Sequence, residues 1–196
     1  MDMVTEFIPI TAFVAIILFF VKESVEVFKK RTAKKREIDA FKYLCAKNCM
    51  FNKRRIMEML LIAVFIKSLE EDKYIKIEHY RGDDFILIGS GSLMFDTKRF
   101  FLPKMHDSFF HDNMLNIAKL DGEFLCHIED AYESIFNTQS LVNKIIHYVD
   151  VDDKKIVTDE LKFLAKKLYK SLLNTDKKLG ILYHYCTGMD MKNGEY

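Results

Sequence analysis

An apolar run near the N-terminus limits what this 196-residue chain can fold into. Residues Phe7–Val21 (FIPITAFVAIILFFV) are uncharged and mostly apolar. A helix of this length rises roughly 22 Å, and extending it back to Met3 gives roughly 28 Å, close to a hydrocarbon core of about 30 Å. A cleaved signal peptide would need a basic start and a small-residue cleavage site, and the run has neither. We therefore predict a single transmembrane helix over residues 1–23, with a core helix or partner-binding helix as the alternative.

Basic residues follow the apolar run directly. The segment Lys22–Arg36 contains seven Lys and Arg residues against two Glu, whereas the first 21 residues contain two acidic residues and no basic one. By the positive-inside rule, this asymmetry predicts an outside N-terminus and a cytoplasmic C-terminal domain. Anionic lipid headgroups attract such cations. The residues predicted to form a membrane-surface collar are Lys29, Lys30, Arg31, Lys34, Lys35 and Arg36.

Small side chains lie together on one side of the predicted membrane helix. Thr11, Ala12 and Ala15 fall within one arc, and Thr11 and Ala15 are four residues apart. Small residues at this spacing allow two helices to approach closely. The sequence therefore predicts association between membrane helices, and hence a homo-oligomer.

The rest of the chain predicts a compact, mainly α-helical domain with one β-hairpin. Only 7 Gly and 2 Pro occur, and apolar residues recur at helical spacing over most of the chain. An alternating pattern interrupted by turn residues predicts a hairpin over 74–88. We expect a basic helical connector over 24–52 and a helical domain over 53–196. Within that domain, Lys53–Leu69 is predicted to be the central buried helix.

The segment Lys98–His111 combines cations with phenylalanines. Single-stranded nucleic acid is bound by such combinations, because bases stack on aromatic rings while cations contact the phosphates. Paired phenylalanines beside a proline can also anchor a loop into a core, and this alternative stays open. The candidate ligand-binding residues are Lys98, Arg99, Phe101 and Lys104.

No familiar catalytic or metal-binding pattern is present. Cys45 and Cys49 are four residues apart, but no second Cys or His pair at comparable spacing completes a zinc site. The four cysteines are too few and too unevenly spaced for a secreted disulfide scaffold. Neither a nucleophile elbow nor an H-E-x-x-H motif occurs. We therefore expect no enzyme activity, no cofactor and no metal.

The order of Phe7–Val21, Lys22–Arg36 and the helical domain resembles the small single-pass effectors of bacterial anti-phage systems, among them the Hailong-type effector. The resemblance implies a bacterial inner-membrane protein that oligomerises to form or gate a pore. It also implies control by a DNA oligomer or a partner, with Lys98, Arg99 and Lys104 as contacts. The alternative is a membrane-tethered adaptor that recruits a cytosolic partner and has no pore activity.

Overall fold

The computed structural model describes residues 10–70, 73–79, 85–90, 97–149 and 155–191. Within these ranges the chain forms four helices and a sheet of four strands, so the mainly helical prediction is confirmed. The elements are α1 (Ile10–Ser68), β1 (Tyr74–His79), β2 (Phe85–Ser90), β3 (Thr97–Leu102), α2 (Ser108–Leu120), α3 (Gly122–Val149), β4 (Lys155–Ile156) and α4 (Asp159–Thr187).

The chain divides into two compact units, residues 1–41 and residues 42–196. Helix α1 begins in the first unit and ends in the second. The second unit, called the folded unit below, contains the sheet and the other three helices of the described chain.

The predicted transmembrane helix is wrong. Among the described residues, no helix has a stretch that is both long enough and apolar enough to cross a bilayer. In the described part of α1, residues 10–21 are uncharged, and charged residues follow from Lys22 onward. Residues 1–9 of the predicted span lie outside the described ranges.

Several predictions depended on that span and are wrong with it. These are the predictions that the chain is a single-pass membrane protein, that it is an ion channel, and that it lies in a bacterial inner membrane with its N-terminus outside. The membrane-surface role of the basic collar also loses its basis, because the collar was defined by its place beside the span.

The second half of α1 has one buried face. Buried residues recur at alternating intervals of four and three, which places them on one side of a helix. Residues in this series are Cys45, Cys49, Asn52, Ile56, Met59, Ala63 and Ile66. The burial predicted for Lys53–Leu69 is therefore present on this face, whereas Leu61 on another side is 64% exposed.

The sheet has the antiparallel strand order β3-β2-β1-β4. Strands β1 and β2 form the hairpin predicted over 74–88. Ile75, Ile77 and Leu87 are fully buried on one face, called the inner face. Gly89 lies on the same face, and a Cβ atom there would overlap the ring of Phe65 in α1. The glycine therefore permits close approach of the helix to the sheet.

Helices α3 and α4 pack antiparallel along most of their lengths. Near one end of the pair, the rings of Phe124 and Tyr185 stack with centroids 5.7 Å apart. Asp121 precedes α3 and caps this helix, because its carboxylate accepts a hydrogen bond from the Phe124 amide at 3.0 Å. At this same end of the pair, α4 terminates at Gly188, whose φ of 70° is the left-handed conformation that glycine adopts readily.

Candidate functional site

Strand β3 contains three of the four predicted ligand-binding residues. Lys98, Arg99 and Phe101 belong to this strand, and Lys104 follows two residues after its end. All four are exposed, and β3 lies at the edge of the sheet in the strand order. The position is accessible to a ligand, and their role in binding stays a prediction.

The structure places these residues on two faces of the sheet. Lys98 shares the inner face with Phe100, whose ring centroid lies 4.8 Å from that of Phe65 in α1. The Lys98 Nζ atom lies 5.9 Å from the Phe65 ring centroid. Arg99 and Phe101 alternate with them and therefore lie together on the opposite face, called the outer face. Of the four predicted residues, Arg99 and Phe101 are the cation and the aromatic ring that share one face of the sheet.

The strand register adds further residues to the outer face. Arg99 is opposite Ile88, which is opposite Lys76 on β1. Tyr74 lies on the same face of β1 and is opposite Ile156 of β4, which is 63% exposed. The outer face therefore presents two aromatic rings, from Tyr74 and Phe101, and two cations, from Lys76 and Arg99.

One carboxylate moderates the charge of this face. The Nζ atom of Lys76 lies 3.1 Å from Oε1 of Glu78. No ion pair of Arg99 occurs among the described residues, so Arg99 is the cation there without a carboxylate partner. An anion such as a phosphate is therefore expected to contact Arg99 first, while a base stacks on a ring.

Sequence reasoning missed Tyr74, Lys76 and Ile156 as neighbours of the predicted site. Their proximity follows from the pairing of β3 and β4 with the hairpin, and neither of these strands was predicted. The sequence Lys98–Phe101 did contain one signal for strand β3. Two cations followed by two phenylalanines place one cation and one ring on each face of a strand, and charged side chains are common in edge strands.

Helix α1 exposes a mostly apolar segment in the first unit, residues 12–28, which is interrupted by Lys22, Glu23, Ser24 and Glu26. Eleven large apolar side chains of this segment are exposed, including Phe28 at 71% and Phe20 at 64%. Monomeric soluble proteins rarely leave contiguous apolar patches above a few hundred Å² in water. Of the predicted association residues, Ala12 is half-buried, Ala15 is exposed, and the side chain of Thr11 lies outside the description.

The six cations predicted as a collar lie in α1 directly after the apolar segment. Lys29, Lys30, Arg31, Lys34, Lys35 and Arg36 are all exposed. No ion pair of any of them occurs in the described part of the chain. Six uncompensated cations in eight residues attract polyanions, and the attraction weakens as salt rises.

Three thiols meet where α1 and α4 pack in the folded unit. Hydrogen bonding with Cys186 and Cys49, together with burial, raises the pKa of Cys45 far above its usual range. A protonated, buried thiol is a poor nucleophile and a poor metal ligand. Among the described residues, no group of three or more Cys, His, Asp or Glu side chains has a geometry that could hold a metal ion.

Comparisons of this chain with protein-family models, with curated proteins and with solved structures found no match. Function is therefore argued from the exposed surfaces of the two units. The resemblance to Hailong-type effectors is untested by these comparisons, and its membrane span is contradicted by the structure.

Proposed function

We propose that this protein is an oligomeric binding protein. Its copies associate through the apolar segment of α1, and the folded unit of each copy binds single-stranded nucleic acid at the outer face of the sheet. The observation that carries the proposal is the exposure of eleven large apolar side chains between residues 12 and 28. A membrane pore and a membrane anchor are not part of it.

Self-association is supported by how the apolar side chains are distributed around α1. They do not form one stripe, because consecutive residues from Ile16 to Val21 are all exposed and apolar. A helix that is apolar all round requires neighbours on more than one side. A pair of helices leaves the far side of each helix in water, whereas a bundle of three or more covers most of it. We therefore expect more than two copies.

Nucleic-acid binding is supported by the chemistry of the outer face. Phe101 is 43% exposed beside Arg99, and the ring of Tyr74 belongs to the same face. Stacking of a base on an aromatic side chain contributes about 1–3 kcal/mol and tolerates any base. The basic residues 29–36 add affinity without sequence preference.

The oligomer is tested by placing charges in the apolar segment. In the double variant Ile16→Glu/Phe20→Glu, two carboxylates one helical turn apart would be buried in the bundle, which is strongly unfavourable. We expect the wild-type chain to sediment as three or more copies and the variant to sediment as a monomer. The measurement is sedimentation equilibrium over a range of protein concentrations.

The matched control for this experiment is Ala33→Glu/Ala40→Glu. It adds the same two carboxylates to exposed positions of the same helix outside the run of large apolar residues. It should keep the wild-type mass. A monomeric wild-type chain, or an oligomer that survives Ile16→Glu/Phe20→Glu, would contradict self-association through this segment.

Nucleic-acid binding is tested by fluorescence anisotropy with a labelled oligothymidine. Replacing Phe101 with alanine removes one stacking ring, and we expect affinity to fall by about 5- to 150-fold, the equivalent of 1–3 kcal/mol. Arg99→Gln should also weaken binding and should flatten its dependence on salt concentration.

The control for the nucleic-acid experiment is Lys98→Gln. This variant removes a neighbouring cation whose side chain lies on the inner face, near Phe65. It should weaken binding less than Arg99→Gln does. Equal effects of the two variants, or unchanged affinity in Phe101→Ala, would place the nucleic acid elsewhere and contradict this assignment.

A second candidate function, recruitment of a partner protein, is favoured by a separate surface. In the folded unit, α1 also has exposed apolar residues away from its buried face. They are Tyr43, Leu44, Phe51, Met57, Leu61 and Val64. A monomeric chain that fails to bind oligothymidine would favour this adaptor function over the first proposal.

A further inference from the structure

Cations are concentrated along one stretch of the α3–α4 pair in the folded unit. In residues 134–149 of α3 and 161–175 of α4, the sequence contains five lysines and no Asp or Glu. When the residues between these two ranges are included, seven lysines stand against five acidic residues, so the segment 134–175 keeps a net charge of +2. This stretch of the pair is therefore basic.

Two contacts align the helices along the basic stretch. Thr138 Oγ1 of α3 lies 2.8 Å from Ser171 Oγ of α4, and Tyr148 Oη lies 2.6 Å from Thr158 Oγ1. Residues 138–148 therefore run antiparallel beside residues 158–171. Lys144, which is exposed, belongs to the part of α3 that runs beside the lysines of α4.

Four residues form the exposed face of α4 in this stretch. Phe163, Lys166, Lys167 and Lys170 have the i, i+3, i+4, i+7 spacing of one helical face, and all four are exposed. They are called the lysine face below. No ion pair of its three lysines, or of Lys144, occurs in the part of the chain that the structure describes.

The carboxylates of α4 lie at a distance from this face or have other partners. Asp159 and Glu160 belong to the first turn of the helix, where they compensate the partial positive charge of its N-terminus. Lys166 follows Glu160 by about 9 Å of helix rise, which is close to the Debye length of about 8 Å at physiological ionic strength. Beyond Lys170, the next carboxylate is Asp176, which pairs with Lys53 at 2.6 Å. The lysine face is therefore expected to attract anions.

Aromatic rings lie among these cations. The Phe163 side chain is 54% exposed, and the Nζ atom of Lys167 lies 4.4 Å from its ring centroid. At the margin of the face, the Nζ atom of Lys67 in α1 lies 5.0 Å from the ring centroid of Tyr169. An exposed contact between a lysine and a ring is weaker than the stacking of a base, so a base can displace Lys167 from Phe163. The displaced lysine can then contact a phosphate.

We propose that the lysine face binds single-stranded nucleic acid, with a base stacked on Phe163 and phosphates contacting Lys166 and Lys170. A duplex keeps its bases stacked on one another, and an acidic peptide has no base to place on the ring. The lysine face shares no residue with the outer face of the sheet. It is therefore a second surface for the same class of ligand, and either surface can fail without the other.

A lysine footprint locates the bound strand. The full chain is treated with a limiting amount of acetic anhydride, with and without an oligothymidine, and the acetylated lysines are identified by mass spectrometry. We expect the oligothymidine to suppress most of the acetylation of Lys166 and Lys170 and to leave the exposed Lys47 and Lys119 unchanged. Lys76 reports on the outer face in the same experiment. Binding that protects Lys76 but neither lysine of α4 would overturn this proposal alone, and an absence of binding would overturn both.

The stacking ring is tested by fluorescence anisotropy in the Phe101→Ala background, in which the outer face is weakened. Adding Phe163→Ala should lower the affinity for oligothymidine by at least about fivefold, the loss of one stacked base. The matched control is Phe136→Ala, which removes a ring that is 57% exposed on α3, three residues after Glu133. Equal affinities of the two variants would show that Phe163 does not contact a base.

The phosphate contacts are tested through the salt dependence of binding in the same background. Lys166→Gln/Lys170→Gln should reduce the slope of log affinity against log salt concentration by about 1.4, which is about 0.7 for each lost phosphate contact on a single strand. Lys47→Gln/Lys119→Gln removes two exposed lysines elsewhere in the folded unit and should leave the slope unchanged. The same slope in both double variants would overturn the assignment.

The class of ligand is tested with two competing polyanions, duplex DNA and polyglutamate of the same charge as the oligothymidine. Both should displace the oligothymidine less effectively than an unlabelled strand does, because neither offers an unstacked base to Phe163. Polyglutamate that competes as well as the unlabelled strand would overturn the proposal in favour of an acidic protein partner. Duplex DNA that competes equally would overturn the preference for single strands.

Discussion

Replacing Asn52 with alanine is expected to lower the free energy of unfolding by about 2–4 kcal/mol. Asn52 is fully buried in α1 and makes two hydrogen bonds to the backbone of a single residue. Its Nδ2 donates to the His106 carbonyl at 2.8 Å, and its Oδ1 accepts from the His106 amide at 2.8 Å. These bonds attach the segment between β3 and α2 to the buried face of α1.

The expected cost is large because the partners of Asn52 are backbone groups. Alanine cannot replace either bond, and the His106 amide and carbonyl would lose partners in a partly buried place. Leaving a buried donor or acceptor unsatisfied costs about 1–3 kcal/mol for each group. Both groups belong to the backbone, so a side-chain rotation cannot bring them to new partners. Either the segment that contains His106 moves, or water enters to bind them. Denaturant unfolding followed by circular dichroism measures the loss.

Asn48→Ala is the matched control for this prediction. Asn48 lies one helical turn earlier, is half-buried, and donates to the Leu44 carbonyl of its own helix at 2.9 Å. Alanine has the higher helix propensity, so this variant should be neutral or slightly stabilising. If Asn52→Ala and Asn48→Ala unfold at the same denaturant concentration, the two bonds to His106 do not stabilise the folded unit.

The buried face of α1 shows what the sequence pattern can predict. Apolar residues over Lys53–Leu69 predicted a buried helix, and the four-and-three spacing from Ile56 to Ile66 accounts for its buried side. The hairpin was predicted for a similar reason, because alternation over Tyr74–His79 matches a half-buried strand. In both cases the period of the apolar residues agrees with the contacts that the element makes.

Helix lengths were predicted less well. The sequence analysis separated a connector helix from the buried helix near residue 52, but α1 continues through this point as part of a 59-residue helix. No glycine or proline lies between residues 10 and 68, and polar residues alone do not end a helix. The polar residues near 48–52 therefore do not interrupt the helix. One of them, Asn52, is buried and bonds to the backbone of His106.

The edge strands were missed for a different reason. Strand β3 reads TKRFFL, in which neither face is uniformly apolar, because Lys98 shares the inner face with Phe100. Strand β4 has only two residues, and its pairing with Tyr74 and Ile75 joins parts of the chain about 80 residues apart. Local periodicity contains no information about such long-range pairing, so the outer face could not be assembled from the sequence.

The error at the N-terminus has a physical cause as well. An apolar run predicts that the side chains avoid water, but it does not specify what covers them. A membrane, a protein core and other copies of the chain all satisfy that requirement. The length of the uncharged run was the available discriminator, because the 15 residues of 7–21 rise roughly 22 Å, less than a hydrocarbon core of about 30 Å.

Removing one hydroxyl group from the centre of α3 and α4 is the second large effect we expect. Thr175 is fully buried, and its Oγ1 lies 2.7 Å from Ser134 Oγ and 2.8 Å from Thr138 Oγ1. Thr175→Val keeps the shape of the side chain and leaves two buried hydroxyls of α3 without this partner. We expect the free energy of unfolding to fall by about 1–3 kcal/mol, measured by denaturant unfolding.

Removing the other two hydroxyls as well should reverse most of this loss. In the triple variant Ser134→Ala/Thr138→Val/Thr175→Val, all three buried hydroxyls are gone, and an apolar layer of similar volume is often as stable as a polar one. The Ser171 hydroxyl, 2.8 Å from Thr138 Oγ1, loses this partner, but Ser171 is only half-buried and water can replace it. The triple variant should therefore be more stable than Thr175→Val, although it contains two further substitutions. This non-additivity is the signature of a shared network, because independent side chains would give costs that sum. A triple variant that is less stable than Thr175→Val would show that each hydroxyl stabilises the helix pair separately, through its own helix or through water, and that the 2.7 and 2.8 Å contacts do not act together.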